Sequence, residues 1–217
     1  IDLQINNAAI MASPETRVGP GWEAQFATNH LGHFVLMNLL WPALAAGSGA
    51  RVVALSSIGH RRSAIRFDDL MFENGYEKWQ AYGQAKTANS LFAVQLDALA
   101  QDAGVRAFAV HPGGILTPLQ RHLTREEMVG YGWIDEQGNP LGEFKTPEQG
   151  AATATWAATS PRLEGMGGVY CEDCDIADPA ASGDSPRGVQ PHAVDRDDAA
   201  RLWTVSAELT GVNAFAA

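Results

Sequence analysis

An alternation of short apolar runs with long helical patterns most constrains the fold of this chain. The run Val52–Leu55 is continuously apolar and stops at a pair of serines, which is typical of a strand buried on both faces. Val105–Val110, which is apolar except for Arg106, predicts a second strand. Between them, from Gln80, apolar residues recur at steps of three and four until Gly104, which predicts a helix. Strands that alternate with helices indicate a parallel sheet with helices on both faces.

The two ends of the chain continue this alternation. Residues 1–5 alternate apolar and polar side chains and predict a strand. Residues 22–46 carry apolar side chains at helical spacing and predict a long helix, while residues 166–170 predict a last strand. No internal repeat interrupts the pattern. We therefore expect residues 1–217 to form a single domain.

Several short patterns predict where helices begin. Thr124 and Thr146 each open a capping-box pattern, in which a threonine precedes a Glu or Gln by three residues. Asp195 is expected to cap a terminal helix whose inward side chains include Leu202, Trp203 and Leu209. The mixed, polar residues 58–79 predict a loop excursion, and the Pro-, Ala-, Ser- and Gly-rich residues 176–192 predict a surface loop.

Composition excludes several classes of protein. The 217 residues are 46% hydrophobic, as expected for a globular domain with a sizeable core. A net charge of −10 argues against a nucleic-acid partner, and no apolar run reaches the roughly 20 residues of a membrane helix. Two cysteines exclude a disulfide framework and suit a reducing, cytoplasmic location. They form a lone CxxC pair, Cys171 and Cys174, with no further residues at metal-ligand spacing, so we expect no metal.

Polar and tight-turn residues follow three of the predicted strands. Asn7, Ser57 and the pair Pro112-Gly113 each lie at or just past the end of a strand. The carboxyl ends of parallel strands share one edge of the sheet, and ligands of such sheets bind beyond that edge. We therefore expect these residues to converge on one binding site.

Tyr82 and Lys86 are four residues apart on the predicted helix and share one of its faces. A phenol beside an ammonium suits proton transfer to a carbonyl or from an alcohol. An unperturbed tyrosine has a pKa of about 10, and a nearby cation favours the phenolate, so we expect Lys86 to lower the pKa of Tyr82. The alternative is a surface tyrosine and a solvated lysine.

Taken together, these residues resemble the short-chain dehydrogenase/reductase family. The matching motifs are, in chain order, Asn6-Asn7-Ala8-Ala9, Asn29 in Thr28-Asn29-His30-Leu31-Gly32-His33, Ser56-Ser57, Tyr82-x-x-x-Lys86 and Pro112-Gly113-x-x-x-Thr117. Ala9 stands where the family usually has glycine. The 25 residues from Ser57 to Tyr82 exceed the usual family spacing. That longer insert resembles the retinol-dehydrogenase-like branch, which includes the WW-domain-containing oxidoreductases.

The resemblance implies a catalytic role for four residues. Tyr82 would be the general acid in reduction and the general base in oxidation, and Lys86 would also bind the nicotinamide ribose. Ser57, rather than Ser56, would hold the substrate oxygen; the alternative is a serine that caps a turn. Asn29 would hold a water in a proton relay to Lys86; the alternative is an exposed position. His30 and His33 are interpreted as packing or surface residues.

The resemblance also implies an NADP or NAD cofactor, with NADP favoured by the resemblance alone. The cofactor-binding residues would be Asn7, Ala8, Tyr82, Lys86, Pro112, Gly113, Ile115 and Thr117. The partner would be a small-molecule alcohol or carbonyl substrate, in an apolar pocket under a flap at residues 120–145 that carries Met128, Tyr131 and Trp133. Family members commonly pair as homo-oligomers through the helices that correspond to residues 22–46 and 80–103.

The glycine-rich dinucleotide loop of the family does not occur in the sequence, since none of its glycines follows the G-x-x-x-G-x-G pattern after a strand. We therefore expect an α/β, Rossmann-like, doubly wound parallel sheet that lacks its first strands and helices in this chain. Two hypotheses remain open. The chain is either the C-terminal two-thirds of an NAD(P)-dependent oxidoreductase, or a non-catalytic remnant or binding module. We favour the first hypothesis, because a chain that starts inside a core strand would expose an apolar sheet edge, and we expect the 217 residues alone to bind dinucleotide weakly.

Overall fold

A five-stranded sheet forms the centre of the protein in the computed structural model, which describes residues 1–180 and 187–216. The sheet order is β1-β4-β5-β6-β7, and a separate two-stranded hairpin pairs β2 with β3. The strands of the described residues are β1 (Leu3–Asn6), β2 (Arg17–Val18), β3 (Trp22–Glu23), β4 (Arg51–Leu55), β5 (Arg106–His111), β6 (Val169–Glu172) and β7 (Asp175–Ile176).

The sheet is parallel from β1 to β6, and only the short β7 runs antiparallel to its neighbour. Val53 of β4 lies opposite Ile5 of β1 and Phe108 of β5, so the three carboxyl ends lie side by side. This arrangement confirms the expected Rossmann-like sheet and brings the ends of these strands to one edge.

Helices cover both faces of the sheet, as expected for a doubly wound fold. One face packs against α2 and α3, with α6 outside them, and the other packs against α5. The helices of the described residues are α1 (Ala24–Phe26), a π-helical turn (Ala27–Leu31), α2 (Gly32–Ala45), α3 (Lys78–Ala100), α4 (Arg125–Gly130), α5 (Pro147–Thr159) and α6 (Arg196–Thr210). None of them combines the length and the apolar character that crossing a bilayer requires.

Helix α3 is buried on nearly every side, because the sheet, α6 and the 3-10 helix Ile58–Arg62 all pack against it. It begins where the carboxylate of Glu77 accepts hydrogen bonds from the main-chain N–H groups of Trp79 and Gln80. After α3 and a short 3-10 turn, the helical conformation ends at Gly104, whose φ of 75° is in the left-handed region. The predicted helix from residue 80 is therefore confirmed, with its start two residues earlier.

The helix expected over residues 22–46 begins at Ala24, because Trp22 and Glu23 pair with β2. The Glu23 carboxylate accepts hydrogen bonds from the main-chain N–H groups of Gln25 and Phe26, which starts the helix. A π-helical turn at Ala27–Leu31 then interrupts it. Helical periodicity alone does not predict such a turn, which often marks a functional site.

Two strand boundaries and one predicted loop also differ from the sequence-based expectation. The first strand begins at Leu3 rather than at residue 1, and the last long strand begins at Val169 rather than at residue 166. The predicted surface loop 176–192 contains a bridge between Pro179 and Val189 and a 3-10 helix at residues 191–193. Its central residues 181–186 lie outside the described residues. The expected caps at Thr124, Thr146 and Asp195 are all confirmed.

Three buried histidines make the free energy of unfolding depend on pH. Burial lowers the pKa of His30 to about 3, and the pKa values of His33 and His60 to about 4. The unfolded chain protonates these rings near the ordinary pKa of about 6.5. Between roughly pH 6.5 and pH 4 the unfolded chain therefore binds more protons, so the free energy of unfolding falls as pH falls, by about 1.4 kcal/mol per pH unit for each ring.

Chemical denaturation at a series of pH values measures this slope. His30→Gln removes one ring whose Nε2 lies 2.7 Å from the hydroxyl of Ser206. We expect this variant to have a shallower slope than the unmodified protein between roughly pH 6.5 and pH 4. A slope equal to that of the unmodified protein would show that His30 does not contribute to it.

Candidate active site

The two serines after β4 have different partners. The hydroxyl of Ser56 donates to the main-chain carbonyl of Lys86 at 2.8 Å, which ties the end of the strand to α3. The hydroxyl of Ser57 accepts from the main-chain N–H of Gly59 at 3.0 Å and so begins the 3-10 helix Ile58–Arg62. Ser56 is buried, whereas Ser57 is half-buried. Of the two, only Ser57 is accessible to a ligand.

Tyr82 lies in the second turn of α3, with 4% of its surface exposed, against the segment that follows Ser57. A Cβ atom built on Gly59 would lie 2.7 Å from Cε1 of the Tyr82 ring. The ring therefore packs directly on the glycine main chain, which a larger residue would prevent. Burial raises the pKa of Tyr82 to about 12, while a hydrogen bond with Ser57 acts in the opposite direction.

Lys86 lies one helical turn after Tyr82 and is buried. Its Nζ atom donates to the carbonyl oxygen of Leu55 at 2.8 Å and lies 5.6 Å from the centre of the Tyr82 ring. Burial lowers the pKa of Lys86 to about 8. The alternative of a surface tyrosine and a solvated lysine is therefore wrong, because both side chains are enclosed.

The expectation that Lys86 lowers the pKa of Tyr82 is also wrong in this structure. The pKa of the phenol is raised, because burial penalises its charged form, and only Ser57 opposes that effect. At neutral pH the phenol therefore keeps its proton.

The 3-10 helix Ile58–Arg62 rests on α3 through a second glycine, Gly83. A Cβ atom built there would lie 2.8 Å from the carbonyl oxygen of Gly59 and 2.9 Å from Cβ of Arg62. These close approaches allow the two helices to touch, and they set the distance between Ser57 and Tyr82. Sequence reasoning did not identify the roles of Gly59 and Gly83, although Gly83 stands inside the Tyr82-x-x-x-Lys86 motif.

Asn29 lies in the π-helical turn and is completely buried, so the alternative of an exposed position is wrong. Its side chain accepts from the N–H of Ile10 and donates to the carbonyl of Ile10, both at 2.9 Å. This pair of bonds holds the loop that follows β1. In that loop Met11 and Ala12 pack in the same apolar cluster as Tyr82.

The residues proposed for the cofactor occupy the same edge of the sheet. Asn7 and Ala8 are exposed directly after β1. Gly113, after β5, has a φ of 94°, and a Cβ atom built on it would lie 2.7 Å from Cδ of Lys145. In this structure, the close approach that the glycine permits is made by the Lys145 side chain, which pairs with Asp173 at 2.6 Å.

Ile115 and Thr117 take part in a local turn. The Ile115 carbonyl accepts from the side chain of Gln120 at 2.8 Å. Thr117 caps the 3-10 helix Pro118–His122 through a capping box with Gln120, which the sequence analysis did not predict. The turn lines an open cleft of about 490 Å³, whose other walls include Met128 and Ile134.

An aromatic group connects the flap at residues 120–145 to the site. Trp79 lies 6.2 Å from the Tyr82 ring, and its indole N–H donates to the hydroxyl of Tyr131 at 2.9 Å. Trp133 lies 6.1 Å from Trp79, and Met128 packs in the same cluster. Of the three flap residues predicted from sequence, Met128 and Trp133 therefore pack against the cluster that contains Tyr82, and Tyr131 reaches it through Trp79. Trp79 is an addition to the expected pocket.

The cysteine pair has the features of a structural element. Cys171 is buried in β6, and burial raises its pKa to about 12, which disfavours the reactive thiolate. Cys174 lies in the tight turn to β7 with a φ of 58°. Within residues 1–180 and 187–216, no group of three or more potential ligands is placed to hold a metal ion.

This combination of sheet, serine and buried Tyr-x-x-x-Lys defines a class of oxidoreductase, and comparison with known proteins agrees. Residues 1–128 match the family model described as short chain dehydrogenase. The chain belongs to the short-chain dehydrogenase/reductase family.

Named relatives lie in both bacteria and animals. The chain is 46% identical over 213 residues to a probable oxidoreductase of Streptomyces lividans, a match that covers 96% of this chain and 71% of that protein. It is 35% identical over 218 residues to human retinol dehydrogenase 14, covering 98% of this chain and 59% of that protein. The chain thus spans less than two-thirds of the length of the retinol dehydrogenase. The resemblance to the retinol-dehydrogenase-like branch is confirmed.

A solved structure shows the same fold. The crystal structure of a putative uncharacterized protein from Mycobacterium paratuberculosis superposes with a TM-score of 0.67 at 31% identity. The match covers all of this chain and 69% of that one.

Proposed function

We propose that this protein transfers a hydride between a nicotinamide cofactor and an alcohol/carbonyl substrate, with Tyr82 as general acid and base. The observation that carries the proposal is the contact of Tyr82 with Gly59 and Ser57, with Lys86 enclosed beside it. A phenol, a hydroxyl and an ammonium within one enclosed cluster are the groups that proton transfer to a carbonyl oxygen requires. A binding module without catalytic activity would not require these three side chains to lie together.

Each side chain has a separate task in the proposed reaction. Ser57 holds the substrate oxygen by a hydrogen bond. Tyr82 donates its proton to that oxygen as a carbonyl becomes an alcohol, and its raised pKa means that the phenol carries this proton at neutral pH. In the oxidative direction the same phenol must first lose its proton. Alcohol oxidation is therefore favoured at higher pH than carbonyl reduction.

The buried ammonium of Lys86 supports a cofactor with a ribose hydroxyl. An ammonium has three N–H donors, and one of them bonds to Leu55. The others suit the oxygen atoms of a nicotinamide ribose. When bound, NADP or NAD supplies or accepts the hydride, and the branch resemblance alone favours NADP. Asn7, Ala8, Pro112, Gly113, Ile115 and Thr117 are the proposed contacts on the same edge of the sheet.

The proposed substrate is a small molecule with an apolar body. Trp79, Tyr131, Trp133 and Met128 form an apolar and aromatic wall beside Tyr82. Such a wall favours a ring or a hydrocarbon next to the carbonyl carbon.

Asn29 is proposed to act by holding the loop at Ile10, and a water-mediated relay to Lys86 remains a proposal for this residue. We also propose a cytoplasmic location and pairing of subunits, on the sequence arguments alone.

The serine pair provides a test with a matched control. We expect Ser57→Ala in the complete gene product to lower kcat for benzaldehyde reduction by a factor of roughly 10² to 10³, because it removes a donor to the reacting oxygen. Ser56→Ala should lower stability by about 1 kcal/mol through the lost bond to the Lys86 carbonyl. Its kcat should stay much closer to that of the unmodified enzyme. Equal kcat values in the two variants would remove Ser57 from the proposed mechanism.

A further inference from the structure

A buried hydrogen-bond network meets at the main-chain carbonyl of Ser57. Nδ1 of His60 lies 2.7 Å from this oxygen, and the hydroxyl of Tyr170 lies 3.2 Å from it. Only 1% of His60 and 2% of Tyr170 is exposed. The network therefore joins the end of β4 to the 3-10 helix Ile58–Arg62 and to β6, far away in sequence.

The partners of His60 determine which of its ring nitrogens carries the proton. The main-chain N–H of Gln190 points to Nε2 at 3.1 Å, and a main-chain N–H can only donate. Nε2 is therefore the acceptor, so Nδ1 carries the proton of the neutral ring and donates it to Ser57. The Tyr170 hydroxyl is the second donor. These two side-chain donors meet at the Ser57 carbonyl, which also accepts from the main-chain N–H of His60 at 3.1 Å.

The main chain at His60 is held as well. The His60 carbonyl oxygen lies 3.0 Å from Nε2 of His192 and 3.1 Å from the hydroxyl of Thr87, which lies closer, at 2.7 Å, to the Ser63 carbonyl in the same segment. Thr87 follows Lys86 directly on α3. The network thus anchors the segment after Ser57 to the helix that carries the proposed catalytic pair.

We propose that His60 and Tyr170 are positioning residues that hold the Ser57 peptide so that its hydroxyl faces Tyr82. Rotation of this peptide would deprive the two buried side-chain donors, and the main-chain N–H of His60, of this acceptor. The direction of the Ser57 side chain depends on the main-chain conformation that the two side chains hold together with the main-chain N–H of His60. This inference rests on the proposed function of Ser57, and it assigns neither His60 nor Tyr170 a contact with the substrate.

A double-mutant cycle in the complete gene product tests the proposal. With benzaldehyde as the probe, we expect Tyr170→Phe to lower kcat roughly ten- to a hundredfold, since small misplacements of a reacting group have effects of this size. The KM for the cofactor should change little. In a Ser57→Ala background the same substitution should lower kcat no further, because Tyr170 acts through Ser57.

The outcomes separate the two proposals. If Ser57→Ala alone leaves kcat unchanged, the proposed function fails, and the positioning role fails with it. If Ser57→Ala lowers kcat and Tyr170→Phe lowers it by the same factor in both backgrounds, only the positioning role is overturned. A purely structural effect of Tyr170 would give this second, additive result.

A spectroscopic measurement on the unmodified protein needs neither turnover nor a variant that folds. In ¹⁵N-histidine NMR spectra, we expect His60 to remain neutral and protonated at Nδ1 from about pH 8 down to about pH 5. A ring protonated at Nε2 in its neutral form, or one that titrates in that window, would overturn the arrangement.

His60→Asn, which keeps an N–H donor near the position of Nδ1, should retain more kcat than His60→Leu.

Discussion

Tyr82→Phe in the complete gene product is expected to lower kcat by a factor of roughly 10² to 10⁴, the usual contribution of a general acid or base. An ordinary steady-state assay would record turnover as abolished. The phenyl ring can still pack on Gly59, so the fold should be preserved. Cofactor binding should persist, since Lys86 and the strand ends are unchanged. Reduction of benzaldehyde and titration calorimetry with NADPH and NADH measure the two properties.

Tyr76→Phe is the matched control for loss of a phenol. The Tyr76 hydroxyl donates to the Ser13 carbonyl at 3.0 Å, away from the proposed reacting atoms. We expect this variant to be less stable by about 1 kcal/mol and to retain most of its turnover. Near-normal turnover in Tyr82→Phe, or an equal loss of turnover in both variants, would remove Tyr82 from the role of general acid.

Gly83→Ala is expected to damage both stability and turnover. The added methyl group would lie 2.8 Å from the Gly59 carbonyl and 2.9 Å from Cβ of Arg62, and main-chain atoms cannot easily move aside. Overpacking of this kind costs about 1–3 kcal/mol. The 3-10 helix Ile58–Arg62 would move away from α3 and carry Ser57 from Tyr82, so kcat should fall by roughly a hundredfold. Thermal unfolding and steady-state kinetics provide the two measurements.

Gly32→Ala provides the comparison, because it is also a glycine in a helix. A Cβ atom built there meets its nearest neighbour, the Ala27 carbonyl oxygen, at 3.5 Å, which is an ordinary contact. We expect this substitution to stabilise the protein by about 0.5–1 kcal/mol, since alanine is the better helix former. If Gly83→Ala behaved like Gly32→Ala, the close approach would not control the site.

Local patterns were sufficient to predict most of the fold. The apolar run at Val52–Leu55 is buried on both faces of the sheet, and its strand was predicted to within one residue. The threonines at 124 and 146 cap their helices as the sequence indicates. Boundaries were less accurate where a contact distant in sequence decides them. The helix prediction was wrong at Trp22, because this residue pairs with Val18 in the β2–β3 hairpin.

The site was predicted less completely than the fold. Tyr82, Lys86 and Ser57 do lie together, because strand ends and a helix face follow simple geometric rules. The direction of the pKa shift of Tyr82 did not follow from the motif, since spacing predicts the nearby cation but not the degree of burial. His60 and Tyr170 are 110 residues apart in the sequence, and their side chains meet at the Ser57 carbonyl only in the folded chain.

Three threonine capping boxes, at Thr117, Thr124 and Thr146, divide the segment that forms the wall beside Tyr82. Each box satisfies main-chain groups within its own turn. The helical turns that begin at these threonines therefore do not depend on the sheet for their first hydrogen bonds. Substitutions between the caps are therefore expected to reshape the wall beside Tyr82 while the sheet that carries Ser57 keeps its structure.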